Sequence, residues 1–185
     1  MDNKKLIIIG SGGHCRIVSD IAERLKFKIK GIIDLKYDNA KIETINGNKI
    51  IGGIDLLDQS KFKNYYYFLA IGDIKLRSKL YNNYRKKFKF VNLIDKKSIV
   101  SNNANIGNAI LISPGAIINS CAKIEDNTII NTNSILEHET YVGKNSNISP
   151  GVIIGGRTTI GQDCFIGLGT KIIDNIKIGK NVFIG

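Results

Sequence analysis

The chain has 185 residues, 43% hydrophobic and 23% charged, the balance of a soluble globular protein with length for one domain or two small ones. No apolar run approaches the ~18–20 residues of a membrane span, two prolines exclude a collagen-like chain, and the five residues Leu6–Gly10 fall short of the ~7–15-residue apolar region of a secretory leader. The formal net charge of +11 is lodged in one half: residues 1–97 hold 21 Lys/Arg against 10 Asp/Glu, residues 98–185 hold 6 against 6. The excess, densest over Lys75–Lys97, reads as a solvated helix face or as attraction for a phosphate-bearing ligand; the helix lacks the interleaved aromatics of a nucleic-acid surface. Cys15, Cys121 and Cys164 are odd in number, far apart and without zinc-ligand spacing, which argues for a reducing cytoplasm and against a disulfide framework.

In chain order, Lys5–Gly10 is a short buried strand and Gly10-Ser11-Gly12-Gly13-His14 a glycine-rich turn. Cys15–Leu25 has helical spacing at Ile17, Val18, Ile21 and Leu25. Lys28–Asp34 is a second strand ending in an acid, Gly47–Gly53 a short strand with turn signals, and Tyr65–Gly72 a further buried strand. Asp73 is the N-cap of a helix over Ile74–Lys87, and Phe88–Ile94 is the last strand before a short linker near Asp95–Ile99. Strands alternating with helices make a parallel sheet, a Rossmann-like βαβ domain over residues 1–97.

Residues 98–185 repeat. Every sixth residue from Val100 to Ile184 is aliphatic, fifteen in succession. The residue four positions on is small (Ala116, Ser134, Ser146, Thr158), and the one immediately after is often glycine, as at Gly107, Gly143, Gly155 and Gly161. A period of six suits neither a helix nor a two-sided strand. It suits a parallel β-helix in which each hexad is one short strand plus one corner, three hexads make a coil, the aliphatics fill a narrow prism and glycine relaxes the backbone at the turn. Pro114-Gly115 and Pro150-Gly151 share one hexad phase, as corner residues should.

Two places could carry chemistry. Gly10-Ser11-Gly12-Gly13 lies between a strand and a helix, the context of a phosphate or nucleotide loop, and Asp34 stands where a ribose-binding acid is expected. Cys15 occupies the third-glycine position of a dinucleotide fingerprint, which leaves NAD, a plain tight turn, and a mononucleotide or nucleotide-sugar as readings. Glu137-His138-Glu139 falls at a β-helix corner with His138 facing outward; Glu139 could hold the second ring nitrogen of a histidine acting as base. No HExxH zinc motif is present.

Joined together, the strand–GxGGH–helix opening, the Asn131-Thr132-x-Ser134-x-x-Glu137-His138-Glu139 segment and the hexads resemble the sugar O-acyltransferase/sialic acid O-acetyltransferase family of left-handed β-helix hexapeptide-repeat enzymes, over essentially the whole chain. The branch resembled is the bacterial nucleotide-amino-sugar N-acetyltransferases of the bacillosamine and perosamine type. The resemblance implies that Gly12, Gly13 and His14 hold the nucleotide-sugar with Asp34, whose neighbouring acid is Leu35 here, and with Gly72. It implies that His138 is the catalytic base, Glu139 its partner and Asn131 a polar lining residue. Gly156 would give a backbone N–H to the thioester carbonyl, and Asn147 and Leu168 would contact acetyl-CoA.

The implied protein is a cytoplasmic homotrimer with sites between prisms, needing acetyl-CoA but no metal, binding no nucleic acid and inserting into no membrane. The implied reaction is direct transfer: a nucleotide-linked sugar amine, anchored on the first domain and reaching the prism, attacks the thioester while His138 takes its proton. O-acetylation of sialic acid or a related sugar is the alternative, and a non-catalytic β-helix scaffold the rival of a different class. The hexads stop inside a repeat at Gly185 without a polar cap, from which a C-terminally shortened β-helix is expected.

Overall fold

The computed structural model describes residues 4–38, 43–58, 62 and 64–185. The chain divides into two compact units, Met1–Val91 and Asn92–Gly185.

The first unit is built on one sheet. Its strands are β1 (Lys5–Ile9), β2 (Lys28–Ile33), β3 (Thr44–Ile45), β4 (Asn48–Gly52), β5 (Tyr66–Leu69) and β6 (Lys89–Phe90), in the spatial order β3-β4-β2-β1-β5-β6. All neighbours pair in parallel except β3 with β4. Strand β1 is central, and Leu6 to Ile9 are fully buried, which is why its sequence is a continuous apolar run rather than an alternation. Helix α1 (Gly13–Arg24) buries Cys15, Val18, Ile21 and Ala22; helix α2 (Ile74–Tyr84) buries Arg77, Leu80 and Tyr81. The Asp73 cap forms as expected, its carboxylate accepting from the Leu76 N–H at 2.8 Å. Gly10 must be glycine: its φ is +107°, and a Cβ there would meet the Ala70 carbonyl at 2.8 Å.

Two differences from the sequence reading have physical causes. The strand expected at Gly47–Gly53 is the second arm of a hairpin, because Asn46 (φ 48°) and Gly47 (φ 77°) form a two-residue turn with both residues left-handed, pairing β4 with Thr44–Ile45. The strand expected over Phe88–Ile94 is two. Lys89–Phe90 ends the first sheet, whereas Leu93–Ile94 pairs with Leu111–Ile112 as the first rung of the β-helix. Ile94 lies one hexad before Val100, so the repeat starts earlier than residue 98, and the units separate at Val91/Asn92.

The second unit is a parallel β-helix of sixteen two-residue strands, β7 to β22, in three stacked walls. Partners in each wall are eighteen residues apart, as in Leu111↔Ile129 and Ile117↔Ile135, so three hexads make one coil. The second residue of each rung points inward: Ile112, Ile118, Ile124, Ile130, Leu136, Val142, Ile148, Ile154, Ile160 and Ile166 are buried in one core, each worth roughly 1.5–3 kcal/mol. The small residues fill the corners. Their hydroxyls satisfy corner carbonyls, Ser134 donating to Asn131 O at 2.7 Å and Thr158 to Ile173 O at 2.9 Å.

The outward residues distinguish the walls. The first carries Leu111, Ile129, Asn147, Phe165 and Phe183; the second Ile99, Ile117, Ile135, Ile153 and Lys171; the third the polar set Asn105, Lys123, Tyr141, Thr159 and Lys177.

The corner glycines have a reason other than the one read from the sequence. Left-handed backbone recurs every sixth residue from Ala109 to Asn181, three positions after each inward aliphatic, and is carried mostly by Asn and Gly. Gly143, Gly155 and Gly161 sit two positions before it and have no positive φ. A Cβ on Gly143 would stand 2.5 Å from the Gln162 N, and one on Gly161 2.6 Å from the Gly179 C, so glycine is needed there for the close approach of the next coil.

Candidate active site

Residues eighteen apart stack on one another, so each corner is a column. The corner between the second and third walls carries Asn119-Ser120-Cys121, then Glu137-His138-Glu139, then Gly155-Gly156-Arg157, then Ile173-Asp174-Asn175. Backbone bonds join the tiers: the Glu139 N–H donates to Ser120 O at 3.0 Å, the Arg157 N–H to His138 O at 3.0 Å and the Asn175 N–H to Gly156 O at 2.9 Å.

His138 projects from this corner with its side chain 48% exposed. Its Nδ1 lies 3.1 Å from Glu139 Oε2. A carboxylate can only accept, so the ring hydrogen of the neutral imidazole sits on Nδ1 and Nε2 keeps its lone pair. Glu139 is in the left-handed corner conformation (φ 58°). Arg157 Nη1 is 3.8 Å from the same Oε2, and its Nε donates to Asn175 Oδ1 at 3.2 Å. Asn119 donates to Glu137 Oε2 at 2.9 Å.

Gly156 faces the imidazole. A Cβ built on it would lie 2.7 Å from both Cε1 and Nε2 of His138, so glycine opens the space that the ring occupies. The Gly156 N–H donates to Asp174 Oδ1 at 2.9 Å. The same bond recurs at Asn108, whose N–H donates to Asp126 Oδ1 at 2.8 Å one coil away, so a corner Asp supporting the tier beneath it is a device of the fold.

His138, Glu139 and Gly156 therefore meet in one column. Asn131 and Leu168 do not join them. Both lie on the corner between the first and second walls, where Asn131 Oδ1 accepts from the Thr132 N–H at 2.9 Å and Leu168 is 76% exposed. Asn147 is on the first wall, with its Oδ1 buried and unpartnered.

In the first unit, parallel strands bring the expected residues to one edge of the sheet. Gly12 is the N-cap of α1 with no side-chain cap, and a Cβ on Gly12, Gly13 or Gly72 would meet nothing within 4 Å. The space over the α1 N-terminus is thus open, and its free N–H groups favour an anion. Asp34 immediately follows β2, which stops at Ile33, one residue short of the expected strand; its Oδ1 accepts from the Lys36 N–H at 3.0 Å. Beside it is a cavity of about 410 Å³ lined by residues that include Leu35, Tyr37, Ile51, Gly53 and Asp55.

His14 Nε2 is enclosed and has no partner. Burial, reinforced by Arg77, lowers its pKa from 6.5 to about 4, so the ring is neutral at pH 7. Arg77 is buried and donates through Nη1 to the carbonyls of Ile71 (2.9 Å) and Gly72 (3.3 Å). It fixes the Gly72 turn, and the sequence reading missed it within the basic helix. The signal was available: Arg77 occupies the same helical face as Leu80 and Tyr81.

Among the described residues no cluster of three His, Cys, Asp or Glu could hold a metal ion. Nor is any helix among them long and apolar enough to cross a membrane.

Residues 5–84 match the PglD N-terminal domain family, and residues 121–156 match the bacterial transferase hexapeptide (six repeats) family. Among solved structures, the chain is similar to the acetyltransferase domain of PglB from Neisseria gonorrhoeae FA1090: 28% identity, 99% of this chain and 92% of that chain covered, TM-score 0.82. The same domain in complex with acetyl coenzyme A matches at 26% identity, 96% of each chain and TM-score 0.76. PerB from Caulobacter crescentus, in complex with CoA and GDP-perosamine, matches at 26% identity over 98% of this chain and 88% of that one, with a TM-score of 0.71.

Proposed function

We propose that this chain, a member of the hexapeptide-repeat sugar acetyltransferases that begin with a PglD-type domain, transfers the acetyl group of acetyl-CoA to the amine of a nucleotide-linked amino-sugar for bacterial surface glycans. The observation that carries the reading is the His138 corner. It offers a base nitrogen free to accept, a carboxylate on the opposite ring nitrogen and a glycine N–H within the same column. PerB, whose structure holds both CoA and GDP-perosamine, shares its fold with 98% of this chain.

In the proposed step the sugar amine attacks the thioester carbonyl carbon. His138 Nε2 takes the proton that the amine sheds, Glu139 stabilises the imidazolium, the C–S bond breaks, and the proton passes to the departing thiolate. Gly156 gives its N–H to the oxygen that gains charge, replacing the bond that the N–H now makes to Asp174. The nucleotide part belongs to the first unit. Its diphosphate would lie over Gly12, Gly13 and the α1 N-terminus, with the neutral His14 as a hydrogen-bonding rather than charged partner. Its base would enter the cavity at Leu35, Tyr37 and Asp55, beside Asp34, with Gly72 on the same sheet edge beyond β1.

The active form on this reading is a homotrimer in the cytoplasm. The second wall supports self-association: Ile99, Ile117, Ile135 and Ile153 form an aliphatic stripe on its outer face, and Ile99 is 65% exposed. That stripe separates the His138 corner from the corner bearing Asn131 and Leu168. Three copies packed through it around a three-fold axis would bring one copy's His138 corner against the next copy's Leu168 corner. Residues that a single prism keeps apart, the acetyl-CoA contacts among them, would then share one site.

The test is thiol release from acetyl-CoA in the presence of a panel of nucleotide-linked amino-sugars, with free sialic acid in parallel. Turnover with an amino-sugar nucleotide and none with sialic acid is expected. Turnover with sialic acid alone would reassign the protein to O-acetylation, and none with any acceptor would leave a binding protein.

A further inference from the structure

The proposed chemistry leaves most of the basic charge of the first unit unused. The nucleotide loop, Asp34 and Gly72 all lie at the C-terminal edge of the parallel sheet, and the lysines gather at the other end. Reading across β2, β1, β5 and β6, the strands open on Lys28, Lys5, Tyr66 and Lys89, with Lys5 in register with Lys28 and Tyr66 with Lys89. Lys5, Lys28 and Lys89 are exposed, as are Arg85, Lys86 and Lys87 in the turn that returns α2 to the same edge.

Tyrosines stand among these cations, Tyr84 of the basic helix included, which corrects the reading of that helix as lacking interleaved aromatics. Lys5 Nζ lies 5.4 Å from the Tyr65 ring centroid, Lys89 Nζ 4.7 Å from that of Tyr66, and Lys87 Nζ 5.7 Å from that of Tyr84. Asp58 is 3.9 Å from Lys87, both being well exposed.

We infer that this edge docks on an anionic membrane surface, with its lysines on acidic phospholipid headgroups and its tyrosines at the headgroup level. Strands ~4.8 Å apart spread the cations in a shallow row rather than around a groove, the form suited to a planar sheet of charge. Lysine beside tyrosine is the pairing that membrane interfaces favour, each lysine near an anionic leaflet adding attraction that salt weakens. A single-stranded nucleic acid would instead need aromatic faces free for bases. Here Tyr66 packs edge-on against Phe27, Tyr84 stacks on Phe88, and lysines lie over the tyrosine rings. Nothing in the docking requires a chain segment to enter the bilayer, and the nucleotide edge stays turned away from the surface.

The experiment is co-sedimentation of the full chain with phosphatidylcholine vesicles, with and without phosphatidylglycerol, at low and physiological salt. Binding only to the anionic vesicles, weakening as salt rises, is expected. Replacing Lys5, Lys28, Lys87 and Lys89 by Gln should lower the bound fraction by about tenfold or more. Replacing Lys144, Lys171, Lys177 and Lys180 of the prism, an equal change of net charge, should leave it near wild type. Arg85→Gln/Lys86→Gln/Lys87→Gln, confined to the turn after α2, keeps the test valid should the strand variant fold poorly, and should also weaken binding. Absence of binding at low salt, equal loss in the edge and prism variants, or displacement from vesicles by RNA at equal phosphate concentration would overturn the inference.

Discussion

Gly156→Ala isolates the geometry of the His138 corner better than removal of the histidine does. A Cβ at Gly156 would sit 2.7 Å from Cε1 and Nε2 of His138, where ordinary contact begins at 3.4 Å, so the ring must retreat by about 0.7 Å (3.4 − 2.7). The ring has room to do so, being 48% exposed, but it leaves the 3.1 Å contact with Glu139. A misplacement near 1 Å costs about 10²-fold, and complete loss of a positioned base about 10²–10⁴-fold; kcat should therefore fall by about 10²-fold or somewhat more. Gly156 has no positive φ and the displaced ring is at the surface, so the fold should hold. Gly179→Ala is the control, because a Cβ there meets nothing within 4 Å. The assay is thiol release at saturating substrates, beside thermal melts of both variants. Turnover of Gly156→Ala within about threefold of wild type would refute the reasoning, since a base indifferent to such a displacement is not the base.

Other outcomes follow from the same structure. His138→Ala should lower kcat by about 10²–10⁴-fold with acetyl-CoA affinity retained in calorimetry, and Glu139→Ala should cost less because it orients the ring without taking the proton. Gly13→Val adds a side chain to open space, so it should melt like wild type yet raise KM for the nucleotide-sugar alone; a change confined to acetyl-CoA would mean the two sites are reversed. Asp174→Ala frees the Gly156 N–H and should lower KM for acetyl-CoA, and an unchanged KM would show that this N–H takes no part in donor binding. Burial holds His14 at about 4, whereas the unfolded chain takes up the same proton near 6.5. Its contribution to stability is thus complete above pH 6.5 and is lost as pH falls toward 4, by up to about 3 kcal/mol. Urea midpoints at pH 7 and 4.5 should show a smaller acid loss in His14→Leu than in wild type.

Much of the prism was legible because its period is rigid: one inward aliphatic per six residues identifies the walls, the corners and the outward placing of His138. The Ile94 rung was hidden because Phe88–Ile94 also reads as one apolar strand, and only pairing with Leu111–Ile112 separates the two. Arg77 was masked by composition, since a cation in a lysine-rich helix reads as solvated unless its place on the Leu80 and Tyr81 face is weighed, and its bonds to the Ile71 and Gly72 carbonyls carry no sequence signal. Asp174 required a different ruler. Its contact with Gly156 follows from counting eighteen residues rather than six, the spacing that also relates Asp126 to Asn108. The cavity beside Asp34 left no motif, because its walls come from the segment after β2, from β4 and from the turn after β4, and no local pattern joins them.

The recurrence of left-handed backbone every sixth residue constrains how this half of the molecule can change length. A single deletion near Asn145 would carry every later residue one step around the prism. Inward aliphatics would turn to solvent, and β-branched or bulky residues would fall on positions of positive φ, at about 1–2 kcal/mol each. Growth or loss of material without that penalty is confined to whole coils or to loops budding from a corner. Since the residues proposed to react occupy one such column, adding a coil between Glu139 and Gly156 would part them by one rung without disturbing any wall. On the proposed function, the spacing from His138 to Gly156 is held by chemistry even where the scaffold would tolerate a change.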